Sequence, residues 1–78
     1  MKPSQLIREK GWVQGEYGYD GRGYCLIGAL GECLPGDRYS FIKMKLMETL
    51  SEMDLIGWND DPLRTKEDVI SALEAIGE

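Results

Sequence analysis

Ten consecutive residues, Cys25-Leu26-Ile27-Gly28-Ala29-Leu30-Gly31-Glu32-Cys33-Leu34, are apolar on nearly every side. Such a segment has no face to leave in water, so it belongs at the centre of whatever the chain builds. Periodicity alone does not separate strand from helix here. The length of the run, its Ala and Leu content and the stop at Pro35-Gly36 favour helix. Gly28 and Gly31 weaken a helix relative to Ala, and they read as flat spots where another backbone approaches. A chain of 78 residues buries only about 60–65% of its unfolded surface. One buried helix and the elements around it are therefore nearly all the core available, and a single domain over residues 1–78 is expected.

The flanking segments carry local signals of their own. Pro3 to Lys10 reads as a short helix, with Pro3 in the first turn, Leu6 and Ile7 as the apolar stripe and Gly11 as the stop. Asp20-Gly21 is a two-residue hairpin signal, which sets Tyr19 opposite Arg22 and Tyr17 opposite Tyr24. After Pro35-Gly36, Asp37 is placed to cap the longest helix. Its stripe is Tyr39, Ile42, Leu46, Leu50 and Met53, widened by Phe41, Met44 and Met47; Met44, Met47 and Met53 are expected to fill an irregular core rather than to form an adaptable binding surface, the alternative for such a Met-rich edge. Gly57 to Arg64 reads as a polar turn around Asp61-Pro62. Thr65 and Asp68 resemble a capping box for a last helix whose face is Val69, Ile70, Leu73 and Ile76. The expected fold is mainly α: a compact bundle of about four short helices, with one short β-hairpin or ordered loop between helices 1 and 2.

Charge and missing residue types narrow the function classes. Nine Lys+Arg against 14 Asp+Glu leave a net charge of −5, the wrong sign for a phosphate-binding face or an anionic membrane. Carboxylates interspersed with basic residues also imitate a row of phosphates poorly. The longest uncharged run, Gly23 to Gly31, is too short to cross a bilayer, and the start Met1-Lys2-Pro3-Ser4 does not lead into a signal-peptide stretch. There is no His, so the commonest general base and metal ligand are missing. Cys25 and Cys33, if on one helix, lie about 12 Å apart along it, too far for a disulfide. Free thiols suit a reducing cytoplasm. No metal site and no cofactor are expected.

Two sets of residues are candidates for function. Tyr17, Tyr19, Arg22 and Tyr24 gather residue types enriched in interface cores onto one hairpin. Trp12, Gln14, Cys25, Trp58, Asn59, Asp60 and Arg64 combine indoles, amides, a thiol, a carboxylate and a guanidinium. Their bland reading is a scaffold, in which Asn59 or Asp60 bonds nearby backbone amides and Arg64 pairs with an aspartate. Their sharper reading is a small ligand or catalytic cleft, with Arg64 holding an anion and Asp60 as the base. Gly18, Gly21 and Gly23 match no phosphate-loop spacing and read as turn glycines. Asn59-Asp60-Asp61 lacks the alternation of a calcium loop.

Gly11-Trp12-x-Gln14-Gly15, Tyr24-Cys25-x-x-Gly28-Ala29-Leu30 and Trp58-Asn59-Asp60-x-Pro62-x-Arg64-Thr65 together resemble the motifs of a family of small proteins of actinobacteria and their bacteriophages, classed as a domain of unknown function. The resemblance runs from about Gly11 to Ile76. It implies no activity, but it makes a bacteriophage origin plausible. The expectation is a non-enzymatic interaction module, a small phage accessory protein in the host cytoplasm. It would dock on a bacterial host protein or on itself through the hairpin. The alternative is the small ligand-binding or catalytic module.

Overall fold

The computed structural model describes residues 1–19 and 21–78; Asp20 and the side chain of Tyr19 lie outside the described residues. The elements in chain order are α1 (Pro3–Lys10), β1 (Gly18–Tyr19), β2 (Gly23–Tyr24), α2 (Leu26–Cys33), α3 (Gly36–Leu50), α4 (Leu55–Asp60) and α5 (Lys66–Ala75). The apolar run is a helix, and it is central: α2 packs against α1, α3 and α4, with Leu26, Ala29 and Leu30 fully buried. Ile7 of α1 and Leu46 of α3 share its core, and Val69, Ile70 and Leu73 of α5, which packs on α1 and α3, complete that core.

Local chemistry explains the helix ends. Pro3 stands in the first turn of α1, and Gly11 N donates back to Ile7 O at 2.9 Å. Thr65 and Asp68 form the reciprocal box at the start of α5: Asp68 N donates to Thr65 Oγ1 at 3.2 Å, and Thr65 N donates to Asp68 Oδ2 at 3.0 Å. Asp37 does not cap α3. That helix begins two residues earlier than an Asp37 cap would set it, at Gly36 with Pro35 as its cap, and Asp37 sits inside the first turn. There its negative charge still complements the helix dipole.

Three sequence expectations are corrected. The segment read as a polar turn from Gly57 opens inside a helix: α4 runs Leu55–Asp60, and Asp54 caps it by accepting from Gly57 N at 3.0 Å. The methionines divide, with Met47 packed on the core while Met44 and Met53 are 65% and 88% exposed. Gly31, unlike Gly28, faces open space.

The hairpin is present in a shifted register, with Gly18 paired to Tyr24 and Tyr19 to Gly23. Residues 20–22 thus connect the strands, one more than a two-residue turn, and the expected turn residue Asp20 lies outside the described residues. The cause is a third segment. Tyr24 N donates to Gly11 O at 3.0 Å and Val13 N donates to Tyr24 O at 3.3 Å, so residues 11–13 hold Tyr24 from the far side. The first strand must fit what remains, and Cys25 N donates to Tyr17 O at 3.1 Å. Gly18 is required at this crossing. Its φ is +91°, and a Cβ there would meet Gly23 O at 2.0 Å.

Candidate functional site

The indole and amide residues converge, and Asn59 is their centre. α4 carries Asn59 inward to 1% exposure. Its Oδ1 accepts from Trp12 Nε1 at 2.7 Å and from Leu26 N at 3.0 Å. Its Nδ2 donates to Val13 O at 3.1 Å and to Asp60 Oδ1 at 2.9 Å. An Asn side chain has two donor hydrogens and two lone pairs, and all four are used. The amide orientation is fixed by chemistry, because Trp12 Nε1 and Leu26 N are both donors and need an oxygen. Leu26 is the first residue of α2, where an amide has no partner within its own helix. Asn59 supplies that partner across 33 residues of sequence.

The neighbours extend this knot. Gln14 Nε2 donates to Asn59 O at 3.0 Å and to Asp61 O at 2.8 Å, while Gly15 N donates to Asp60 Oδ1 at 3.0 Å. Arg64 pairs with neither aspartate. Its Nε donates to Trp58 O at 2.9 Å, and its guanidinium lies 3.8 Å from the centroid of the Trp58 ring. A planar cation stacked on indole is a favourable arrangement, and it ties the start of α5 to the end of α4. Among the described residues, no buried side-chain polar atom lacks a partner. The side-chain polar groups of Trp12, Gln14 and Asn59 are thus bonded within the protein.

Beside the knot lies a hollow of about 320 Å³, reached by Cys25, Asn59, Asp60, Tyr17 and Ile56. It contains the thiol and the carboxylate of the proposed cleft, but Trp12, Gln14, Trp58 and Arg64 do not line it. Cys25 caps α2, its Sγ accepting from Gly28 N at 3.2 Å. Burial pushes its thiol pKa up, the Gly28 amide pulls it part of the way back, and the charge of Asp60 adds to the rise. A thiol held in its neutral form is a poor nucleophile. Cys25 should therefore alkylate slowly at pH 7.5, and unfolding by urea should release it, as followed by peptide mapping. Folded-state alkylation as fast as that of the unfolded chain would refute this burial. The raised pKa also sets a sign. The neutral thiol's contribution to stability is complete below its ordinary value near 9.0 and is lost as pH climbs through the higher folded-state value. Cys33, partly buried, is also shifted up by burial.

The hairpin candidates separate. Tyr24 is buried at 6% and Tyr17 is 60% exposed. Arg22 is bound through both Nε and Nη2 to Glu16, at 2.9 and 2.8 Å. The side chain of Tyr19 lies outside the described residues. Tyr17 stands on the edge of a larger groove of about 680 Å³, between the hairpin, α3 and α4. Met53 and Ile56 reach the same groove, and Gly28 and Gly31 lie along its floor. Sequence reasoning missed Ile56 altogether and took Met53 for core. Met53 lies between two helices and Ile56 in a helix of six residues, too little for a periodicity that reveals which way either faces. Among the described residues, no cluster of three or more His, Cys, Asp or Glu side chains is arranged to hold a metal ion, and no helix is long and apolar enough to cross a membrane.

The model of a family of unknown function (DUF6197) covers residues 4–78. No curated protein and no solved structure matches the chain.

Proposed function

We propose that this chain, which belongs to the family of unknown function DUF6197, is a non-enzymatic protein-interaction module that receives an apolar segment of a partner protein in the groove between the hairpin, α3 and α4. The observation carrying this reading is the convergence of Tyr17, Met53 and Ile56, exposed by 60%, 88% and 45%, on one groove. Tyr and Met are enriched in interface cores, where large side chains displace water. Gly31 has nothing within 4 Å of its Cβ position, which leaves room on the floor for a partner's side chain. The polar residues that could have run a reaction are committed to the Asn59 knot, which supports binding over catalysis. A bacterial host protein as partner, and a bacteriophage accessory role, fit the motif resemblance and the small acidic chain.

Photocrosslinking tests the groove. A photoreactive side chain at Ile56 should capture a partner from host lysate, and Tyr17→Ala with Met53→Ser should reduce capture at least tenfold. Leu63→Ser is the control, since Leu63 is 86% exposed but does not line the groove. Equal loss with the control, or no loss with the double variant, would refute the reading. A thermal-shift screen against nucleotides and metabolites should be flat. A shift abolished by Arg64→Ala would favour a small-ligand module instead, because a ligand specific to the folded state must raise its stability.

A further inference from the structure

Phe41 and Met44 are 60% and 65% exposed on α3, and neither lines the groove assigned above. They belong to a face that the proposed function leaves unexplained. Asp37, Phe41 and Lys45 are all exposed and succeed one another at intervals of four, so they form one ridge along the helix surface. Phe41 stands in the middle, with the backbone of an acidic residue about 6 Å along the axis toward the N-terminus and that of a basic residue about 6 Å toward the C-terminus.

We propose that this ridge is a self-association face, on which a second copy of the chain docks antiparallel across a two-fold axis at Phe41. A two-fold contact requires that if residue i meets j, then j meets i. With the axis at Phe41, the rings of the two copies meet each other, and Asp37 of each copy faces Lys45 of the other. Opposite charges at equal distances from an exposed ring are what this symmetry needs; equal charges at those positions would repel.

The charged groups are available for this pairing. Arg38, the basic neighbour of Asp37, is held by Glu78 Oε2 at 2.6 Å and does not compete for Asp37. Among the described residues, the Asp37 carboxylate accepts from Arg38 N alone, at 2.9 Å. Among the described residues, Lys45 enters no ion pair. Two apolar side chains per copy make a small patch, so the dimer forms only as concentration rises.

Sedimentation equilibrium of the full chain, from micromolar to millimolar, should show the apparent mass climbing from 8.8 kDa toward twice that value. High salt should push it back. Phe41→Ser should remain at monomer mass throughout. Asp37→Lys alone and Lys45→Asp alone should each remain monomeric, because each homodimer would oppose like charges twice. Mixing these two variants in equal amounts should restore the dimer, since both cross-pairs then have opposite signs. The chain carrying both reversals should also dimerise by itself. Far-UV circular dichroism of each variant verifies that the helices are kept. A wild-type chain that stays monomeric at every concentration would overturn the proposal. So would single reversals that still dimerise, or a mixture that associates no better than its components.

Discussion

Asn59→Ala should remove a large share of the chain's stability. The substitution removes the acceptor for Trp12 Nε1 and Leu26 N and the donor to Val13 O. Each buried polar group left without a partner costs about 1–3 kcal/mol. Allowing for water reaching the partly exposed Trp12, the total is about 3–5 kcal/mol. A domain of this size has roughly 4–12 kcal/mol in all, at about 0.05–0.15 kcal/mol per residue. Urea denaturation followed by Trp fluorescence measures the loss. A midpoint shift equivalent to less than about 1 kcal/mol, the net worth of one ordinary hydrogen bond, would show that the knot does not hold the fold. Asn59→Asp is the companion variant. It keeps the shape and the acceptor oxygen but sets a second carboxylate beside Asp60 and against Val13 O. It should be severely destabilised at neutral pH. It should recover in part on acidification, because a protonated carboxyl regains a donor and burial raises its pKa.

Two glycines in one helix should respond to the same substitution with opposite signs. Gly→Ala inside a helix ordinarily stabilises by about 0.5–1 kcal/mol, and Gly31→Ala should show this gain, because nothing lies within 4 Å of its new methyl. At Gly28 the methyl would stand 1.9 Å from Tyr17 O and 2.9 Å from Tyr17 C. Tyr17 cannot retreat freely, since its carbonyl accepts from Cys25 N. Overpacking against backbone costs about 1–3 kcal/mol beyond the propensity gain. For a domain of this size, about 4–8 °C in Tm corresponds to each kcal/mol, so the two variants should melt well apart on either side of the wild type. Gly28→Ala at or above the wild-type Tm would mean that the hairpin does not rest on α2.

The sequence displays clearly what short-range chemistry decides. α1, α2 and α5 are each marked by Pro3, by the apolar run or by the Thr65–Asp68 box, all within a turn or two of the element they define. α4 carries no such mark. It is one turn and a half long, includes Gly57, and runs into Asp61-Pro62, so its local signals favour a turn. What holds it helical is the Asp54 cap and the burial of Leu55 and Asn59, and that burial comes from distant partners. The shifted hairpin has the same origin, since the segment fixing Tyr24 lies at residues 11–13 and no turn rule contains it. For the knot, residue type pointed to Trp12, Gln14 and Asn59. Their bonds span 45 to 47 positions, and no spacing pattern encodes which amide meets which indole.

The amide of Asn59 touches Trp12, Val13 and Leu26 at once, and this bears on how the protein comes into being. While residue 59 is still inside the ribosomal tunnel, the growing chain has two open ends: a loop with no anchor for its indole and a helix start with no lid. Nothing upstream is finished enough to persist alone. A stalled or prematurely released product would expose the Leu26–Leu30 core to chaperones and proteases. Such a product lacks both the Asn59 amide and Val69, Ile70 and Leu73 of α5, and with them the means to bury its own centre.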